Sequence, residues 1–262
     1  INHSDEYQLK FERFLLFEDF TPLEDWINFR YVLIPNFNML EGISSANNFD
    51  PLLPSRYVEW MNHIELLNEN QKEPWLQLMD VGVVESENIR IPSGIEFTST
   101  SKPSRLWWSK CAIMTQNEDQ SFEQVSGMIE KMDSGFDPSV VILEDKNFEF
   151  KEKELICNED GSPEIKLSID MPTKVVVVVS STSSGYLVLA DVWYPGWAVR
   201  IDGEKQPLLK ANYLFKAVEV SEGEHEVEFV YKPLSFTLGL IISSVSWLLM
   251  LTWVILGKRK VN

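Results

Sequence analysis

Histidine and cysteine are scarce in these 262 residues. His3, His63 and His225 are scattered, and Cys111 and Cys157 stand far apart without metal-ligand spacing. That pattern offers no His/Cys metal centre, and no metal or cofactor is expected. For the cysteines, two buried thiols is the favoured reading and a disulfide the lesser one. Basic residues are also few: 23 Lys and Arg face 40 Asp and Glu, a formal net charge of −17. A surface that acidic repels phosphate backbones, which argues against nucleic acid as a partner. It also repels an anionic membrane surface unless a local basic patch intervenes. There is no nucleophile elbow, no Gly-rich phosphate loop and no His-Glu zinc motif. Ile1 is not an initiator residue, and no signal-peptide pattern opens the chain.

What is present is concentrated near the C-terminus. Leu234–Leu256 carries no charged residue, and about 20 apolar residues suffice to cross a bilayer. Lys258, Arg259 and Lys260 follow it. A basic cluster beside a span stays on the cytoplasmic side, so the rest of the chain is expected outside the cytoplasm. An exported unit with one C-terminal span needs something upstream to export it. The expectation is a fragment whose earlier spans, or at least a signal, precede Ile1.

Before the span the pattern is that of strands. Tyr186–Trp193, Trp197–Ile201, Gln206–Lys210, Leu214–Val220 and Glu224–Tyr231 are strand candidates. Asp202-Gly203 and Glu222-Gly223 supply turns. Val175–Val179 is a continuous β-branched run that suits a strand buried on both faces. Val227, Phe229 and Tyr231 alternate with Glu226 and Glu228, giving one buried face and one wet face. Leu155–Cys157 and Ile165–Ile169 complete an expected antiparallel β-sandwich.

The N-terminal half mixes element types. Tyr7–Phe17 reads as a strand, and Thr21-Pro22-Leu23-Glu24 starts a short helix. Leu33–Asn36 is a further strand, followed by a loop to Leu53. Pro54 opens a helix with Tyr57, Trp60, Met61, Ile64 and Leu67 on one face, ended by Asn68–Lys72. Trp75–Met79 is expected to add one helical turn. Val81–Val84 is a strand, and Ile89–Thr100 a hairpin about Pro92-Ser93-Gly94. Leu106–Met114, a helix with Phe122, Val125, Met128, Ile129 and Met132 on one face, and Val140–Leu143 form a strand–helix–strand unit. The fold expected is thus an α+β region (1–150), a β-sandwich (151–232), a transmembrane helix (233–257) and a basic cytoplasmic tail (258–262).

Two groups are candidates for binding. Trp193-Tyr194-Pro195-Gly196-Trp197, with Asp191 just before it, has the aromatic content of a carbohydrate platform. The plainer reading, a packed corner at the end of a sandwich, is preferred. Arg105, next to Trp107 and Trp108, could grip a phosphate or glycan. One buried Trp beside a partly exposed one is the alternative. Asp50 and Asp137, each followed by Pro, read as turn-formers rather than a glycosidase pair. Asn2-His3-Ser4 is one isolated glycosylation pattern.

Several of these segments together are similar to the YfhO-type bacterial membrane protein family. The stretch from Gly185 through Trp193-Tyr194-Pro195-Gly196-Trp197 carries most of the resemblance. Ile201-Asp202-Gly203, Ala211-Asn212, Gly223-Glu224-His225 and Phe229-Val230-Tyr231-Lys232-Pro233 continue it into the span. Asn36, Asn38, Gly42, Asp50-Pro51-Leu52 and Arg56-Tyr57, then Arg105 and Phe136-Asp137-Pro138, extend it upstream. The resemblance implies the end of a polytopic GT-C-like glycosyltransferase that uses polyprenyl-phosphate sugars. It implies a glycopolymer acceptor of the lipoteichoic-acid type in the cell envelope, and upstream spans of the same protein as partners. The acidic catalytic loops of such enzymes lie between early spans, so this segment is expected to hold no catalytic residue. The competing reading is a non-catalytic, membrane-anchored binding or assembly domain.

Overall fold

A computed structural model describes residues 44–46, 53–87, 95–100, 104–131, 137–145, 155–159, 161 and 163–259. The strand at Tyr7–Phe17, the helix after Thr21, the Leu33–Asn36 strand, Asp50, Phe136 and the final basic residue Lys260 lie outside them. The chain divides into two units, 1–105 with 128–137, and 106–127 with 138–262.

In the first unit Pro54, with its fixed φ, precedes helix α1 (Ser55–Leu66). Its apolar face buries Trp60 and Ile64. α1 ends just before Asn68–Lys72, as the polarity of that run led us to expect, but residues 69–72 are helical again. Asn68 caps a second helix, α2 (Glu69–Leu78), and its N–H donates to the Gln71 side chain at 3.3 Å. A polar run that would end one helix here begins another, because Asn and Gln three residues apart satisfy the exposed first-turn donors. Trp75 of α2 meets Trp60 edge-on at 4.7 Å between centroids. Strands β1 (Val83–Glu87) and β2 (Ile95–Ser99) then form an antiparallel hairpin. The expected tip at Pro92-Ser93-Gly94 lies outside the described residues.

The second unit contains two sheets. Strands β3 (Leu106–Ser109) and β4 (Cys111–Thr115) lead into helix α3 (Glu118–Glu130), capped by the Asn117 side chain accepting from Gln120 N–H at 3.0 Å. Strands β5 (Val140–Glu144), β6 (Leu155–Cys157), β7 (Glu164–Met171), β8 (Lys174–Ser181) and β9 (Gly185–Leu189) follow. Then come β10 (Trp197–Ile201), β11 (Glu204–Gln206), β12 (Leu209–Ala211), β13 (Phe215–Val220) and β14 (Gly223–Tyr231). Five strands in the order β11-β10-β14-β8-β7 make an antiparallel sheet; seven in the order β3-β9-β13-β12-β5-β4-β6 make the other.

The seven-stranded sheet takes strands from both sides of residue 150 and is not purely antiparallel. β4 and β5 pair in parallel, joined by α3, so the strand–helix–strand pattern belongs to this sheet. A parallel pair needs such a crossover, whereas hairpins join antiparallel ones. The sheet is also curled. β3 is its edge and β4 its sixth strand, about 24 Å apart if flat at ~4.8 Å per strand. Yet Ser109 and Cys111 are two residues apart, a reach of about 7 Å at most. The Ser109 hydroxyl accordingly donates to the Pro138 carbonyl at 2.6 Å, beside the start of β5. The unit is therefore a mixed α+β domain with a half-barrel-like sheet, a coarser description than an antiparallel sandwich.

The core is drawn from both sheets. Val175, Val177, Val179, Val199, Val227 and Phe229 of the five-stranded sheet cluster with Leu187, Leu189, Val218 and Val220 of the other. In β8, Val175, Val177 and Val179 face this core, while on the other face Val176 is buried and Val178 half-buried. The cysteines also depart from the favoured expectation. Cys111 and Cys157 are a disulfide, joining opposite residues of β4 and β6. The register brings together two thiols that sequence distance kept apart. After β14 the chain has only Lys232 and Pro233 before helix α4 (Leu234–Arg259), of which Leu234–Trp253 is long and apolar enough to cross a membrane.

Candidate functional site

The aromatic turn is fixed by backbone before any side chain matters. Trp193 N–H donates to the Leu214 carbonyl at 2.8 Å, and Lys232 N–H donates to the Gly196 carbonyl at 2.7 Å. Gly196 has φ +110°, and a Cβ there would lie 2.9 Å from Pro233 Cα. Only glycine suits both the left-handed conformation and the close approach.

On this frame, Asp191 and Lys216 form an ion pair, Nζ to Oδ2 at 3.6 Å. Lys216 is completely buried in β13, and its ammonium also lies 3.5 Å from the Trp197 ring centroid. Lys210 sits 4.4 Å over the Trp193 ring and 3.9 Å from Glu144. Each tryptophan thus has a cation over one face, an attraction that strengthens as water is excluded. Trp193 and Trp197 are half-buried, whereas Tyr194 is exposed at 45%. Tyr231 packs beside both Trp197 and Tyr194, tilted by 44° and 56°.

The structure therefore brings together Asp191, Trp193, Tyr194 and Trp197. Arg105 is half-buried and belongs to the first unit, at the end of its 1–105 segment. Its neighbour Trp107 is buried in β3 and Trp108 half-buried. Lys216 was not singled out from sequence. A lone base inside the apolar strand Phe215–Val220, matched to a lone acid at Asp191, was the available signal.

Asn212 was quoted only as part of a motif, and its geometry explains it. At φ +45° it turns β12 into β13. Its N–H donates to the Ile142 carbonyl at 2.7 Å, and its Oδ1 accepts from Ile142 N–H at 2.8 Å. The side chain thus supplies the acceptor that a further strand residue would have offered to β5.

A second cluster went unnoticed in sequence. His225 Nδ1 lies 2.7 Å from Asp202 Oδ2, and Nε2 lies 2.9 Å from Ser221 Oγ. The order Ser–His–Asp is that of a nucleophilic triad. The Glu222 carbonyl, however, is 3.2 Å from the same Nε2, and a carbonyl can only accept. Hydrogen bonding to Asp202, then to the Glu222 carbonyl, holds the His225 pKa above its ordinary 6.5. Bonds from His225 and from Glu226 N–H hold Asp202 below its ordinary 3.8. An imidazolium donating from both nitrogens is a clamp between turns, and a general base needs a free lone pair. Asp202 and Gly203, at φ +52° and +84°, form the tight turn expected from Asp-Gly. No group of three or more His, Cys, Asp or Glu placed to hold a metal occurs among the described residues.

These features define a mixed α+β unit joined directly to a helix of membrane-spanning length. Residues 162–243 match the family described as bacterial membrane protein YfhO. Among curated proteins, the uncharacterized protein YfhO of Bacillus subtilis (strain 168) is 36% identical over 64 residues, which is 24% of this chain and 7% of that protein. The homology is distant and partial, covering the last strands and the start of α4, and the chain spans a small fraction of that relative's length. No solved structure matches.

Proposed function

We propose that the chain is the extracytoplasmic C-terminal part of a polytopic bacterial membrane protein of GT-C-like glycosyltransferase type. It acts in glycosylation of a cell-envelope glycopolymer of the lipoteichoic-acid kind from polyprenyl-phosphate sugars. The observation that carries the reading is the match over 162–243, which runs without a break from β-sheet into α4. The Cys111–Cys157 disulfide adds support for an oxidising, non-cytoplasmic side, and Lys258 and Arg259 at the end of α4 for a cytoplasmic C-terminus. In this reading catalysis belongs to loops between upstream spans. Membranes containing the full-length protein should transfer sugar from a polyprenyl-phosphate donor, and membranes containing only this chain should not. Transfer by this chain alone, or none by the full-length protein, would contradict it.

The exposed ring of Tyr194 favours a second reading, a non-catalytic anchored binding domain. There Trp193, Tyr194, Trp197 and Asp191 are the proposed glycan contacts, and Arg105, in the other unit, is proposed as a separate one. Saturable binding of envelope glycans to this chain in detergent, lost in Tyr194→Ala, would select it.

A further inference from the structure

The aromatic turn lies where α4 begins, and this position carries a consequence for what it touches. The charge-free run Leu234–Leu256 is about 34 Å long at ~1.5 Å per residue, close to the ~30 Å hydrocarbon core. With so little slack, Leu234 sits near the edge of that core. Lys232 is two residues earlier, within about 7 Å of it, and interfacial zones are about 5–8 Å deep. Since Lys232 N–H is bonded to the Gly196 carbonyl, the turn is held at headgroup level. The β7–β8 turn is held there as well, because Tyr231 N–H donates to the Thr173 carbonyl at 2.8 Å.

The side chains at this level suit an interface. Tyr194, Pro195, Met171 and Pro172 are exposed, Met171 at 57%. Lys174, Lys232 and the exposed Asp170 flank them, and Lys174 binds Glu228 at 2.6 Å. Tyrosine and tryptophan concentrate at membrane interfaces because each ring has an apolar body and a polar tip. The opposite end of the same sheet is acidic, with Asp202, Glu204, Glu222 and Glu224 all exposed. We propose that the Trp193–Trp197 turn and the Met171–Thr173 turn form a lipid-facing seat. Through it the β-unit rests on the headgroups of the bilayer that holds its own helix. The proposal rests on α4 spanning the membrane.

Because both native cysteines are bonded to each other, an introduced cysteine is the one free thiol. The full chain in phosphatidylcholine liposomes would be spin-labelled in turn at Tyr194→Cys, Met171→Cys, Glu204→Cys and Trp247→Cys. Collision rates with dissolved oxygen and with a water-soluble nickel chelate give depth. The label at 247, in the middle of α4, should be deep in the core. Labels at 194 and 171 should meet the nickel chelate several-fold less often than the label at 204, and oxygen less often than the label at 247. Equal nickel rates at 194, 171 and 204, with 247 deep, would overturn the seat and leave the span standing. Labels at 194 and 171 as deep as 247 would also overturn it. A label at 247 in water would remove the span and the seat together.

Discussion

The two ends of β14 lie in one strand yet solve opposite problems. At the Tyr231 end, aromatic rings, prolines and lysines gather just before the start of α4. At the Gly223 end, a histidine ties acidic turns together in water. The first end is held by burial and cation–ring contacts, which salt and pH in the neutral range scarcely alter. The second is held by exposed charge, which solvent screens. Asp202, Glu204, Glu222 and Glu224 are exposed at the end away from the helix, whereas Lys174, Lys232 and the exposed Asp170 lie at the end beside it.

The most damaging change strikes the middle, on which both ends depend. Val177 is fully buried and lies opposite Val227. Val177→Asp places an unpaired charge in the shared core, at a cost of about 5 kcal/mol or more, comparable with the whole stability of a domain. Thermal unfolding of the full chain in detergent should show no cooperative transition. An unchanged melting curve would place Val177 outside the core.

Next is the disulfide, which closes 46 residues of the curled sheet and leaves both ends of β14 intact. Replacing both cysteines with serine should cost about 4 kcal/mol by loop entropy. Chemical denaturation with and without the change measures it. Asp191→Ala acts on the helix-proximal end alone. It strands a wholly buried Lys216 ammonium, and the expected loss is about 3 kcal/mol, the lower figure for a broken buried pair because Asp191 is partly exposed. Adding Lys216→Met should restore much of the loss. A double variant no better than the single one would show that the loss does not come from a stranded Lys216 ammonium.

The smallest effect belongs to the distal end and depends on pH. The His225 pKa is raised in the folded state, so its contribution is complete below its ordinary 6.5 and is lost as pH climbs through the raised value. The Asp202 pKa is lowered, so its contribution is complete above 3.8 and is lost as pH falls through the depressed value. The clamp is therefore strongest in mildly acid solution. His225→Gln should reduce stability by less than about 1 kcal/mol there, and the difference should shrink as pH rises past the folded His225 pKa. A difference that grows with pH would mean His225 is neutral when clamped.

Local rules carried the second unit far. Alternation marked β14, β-branching marked β8, and the Asp-Gly pair marked a turn that positive φ confirms at both residues. The charge-free run located α4. Partnerships between distant segments were not legible. Nothing near Cys111 announces Cys157, and nothing near Leu106 announces an edge strand beside β9. Leu106–Met114 looked like one strand; it is two, at opposite sides of the same sheet, separated at Lys110. Asn68 escaped the local rules because a polar residue ends one helix or begins another depending on its next three neighbours. In the candidate site, the rings of the aromatic turn were visible, but the lysines over Trp193 and Trp197 come from β12 and β13. The Asp202–His225 clamp likewise joins residues 23 positions apart.

All of this depends on which side of the membrane the β-unit occupies. With Cys111 and Cys157 bonded to each other, Glu204→Cys and Asn262→Cys can each be introduced into the full-length protein, with the unsubstituted protein as the control, and exposed to an impermeant thiol reagent in intact bacterial cells. The account predicts that the cysteine at 204, in the exposed Asp202–Glu204 turn, is labelled at once. The cysteine at 262 should be labelled only after the cells are opened. Immediate labelling at 262 with protection at 204 would contradict it.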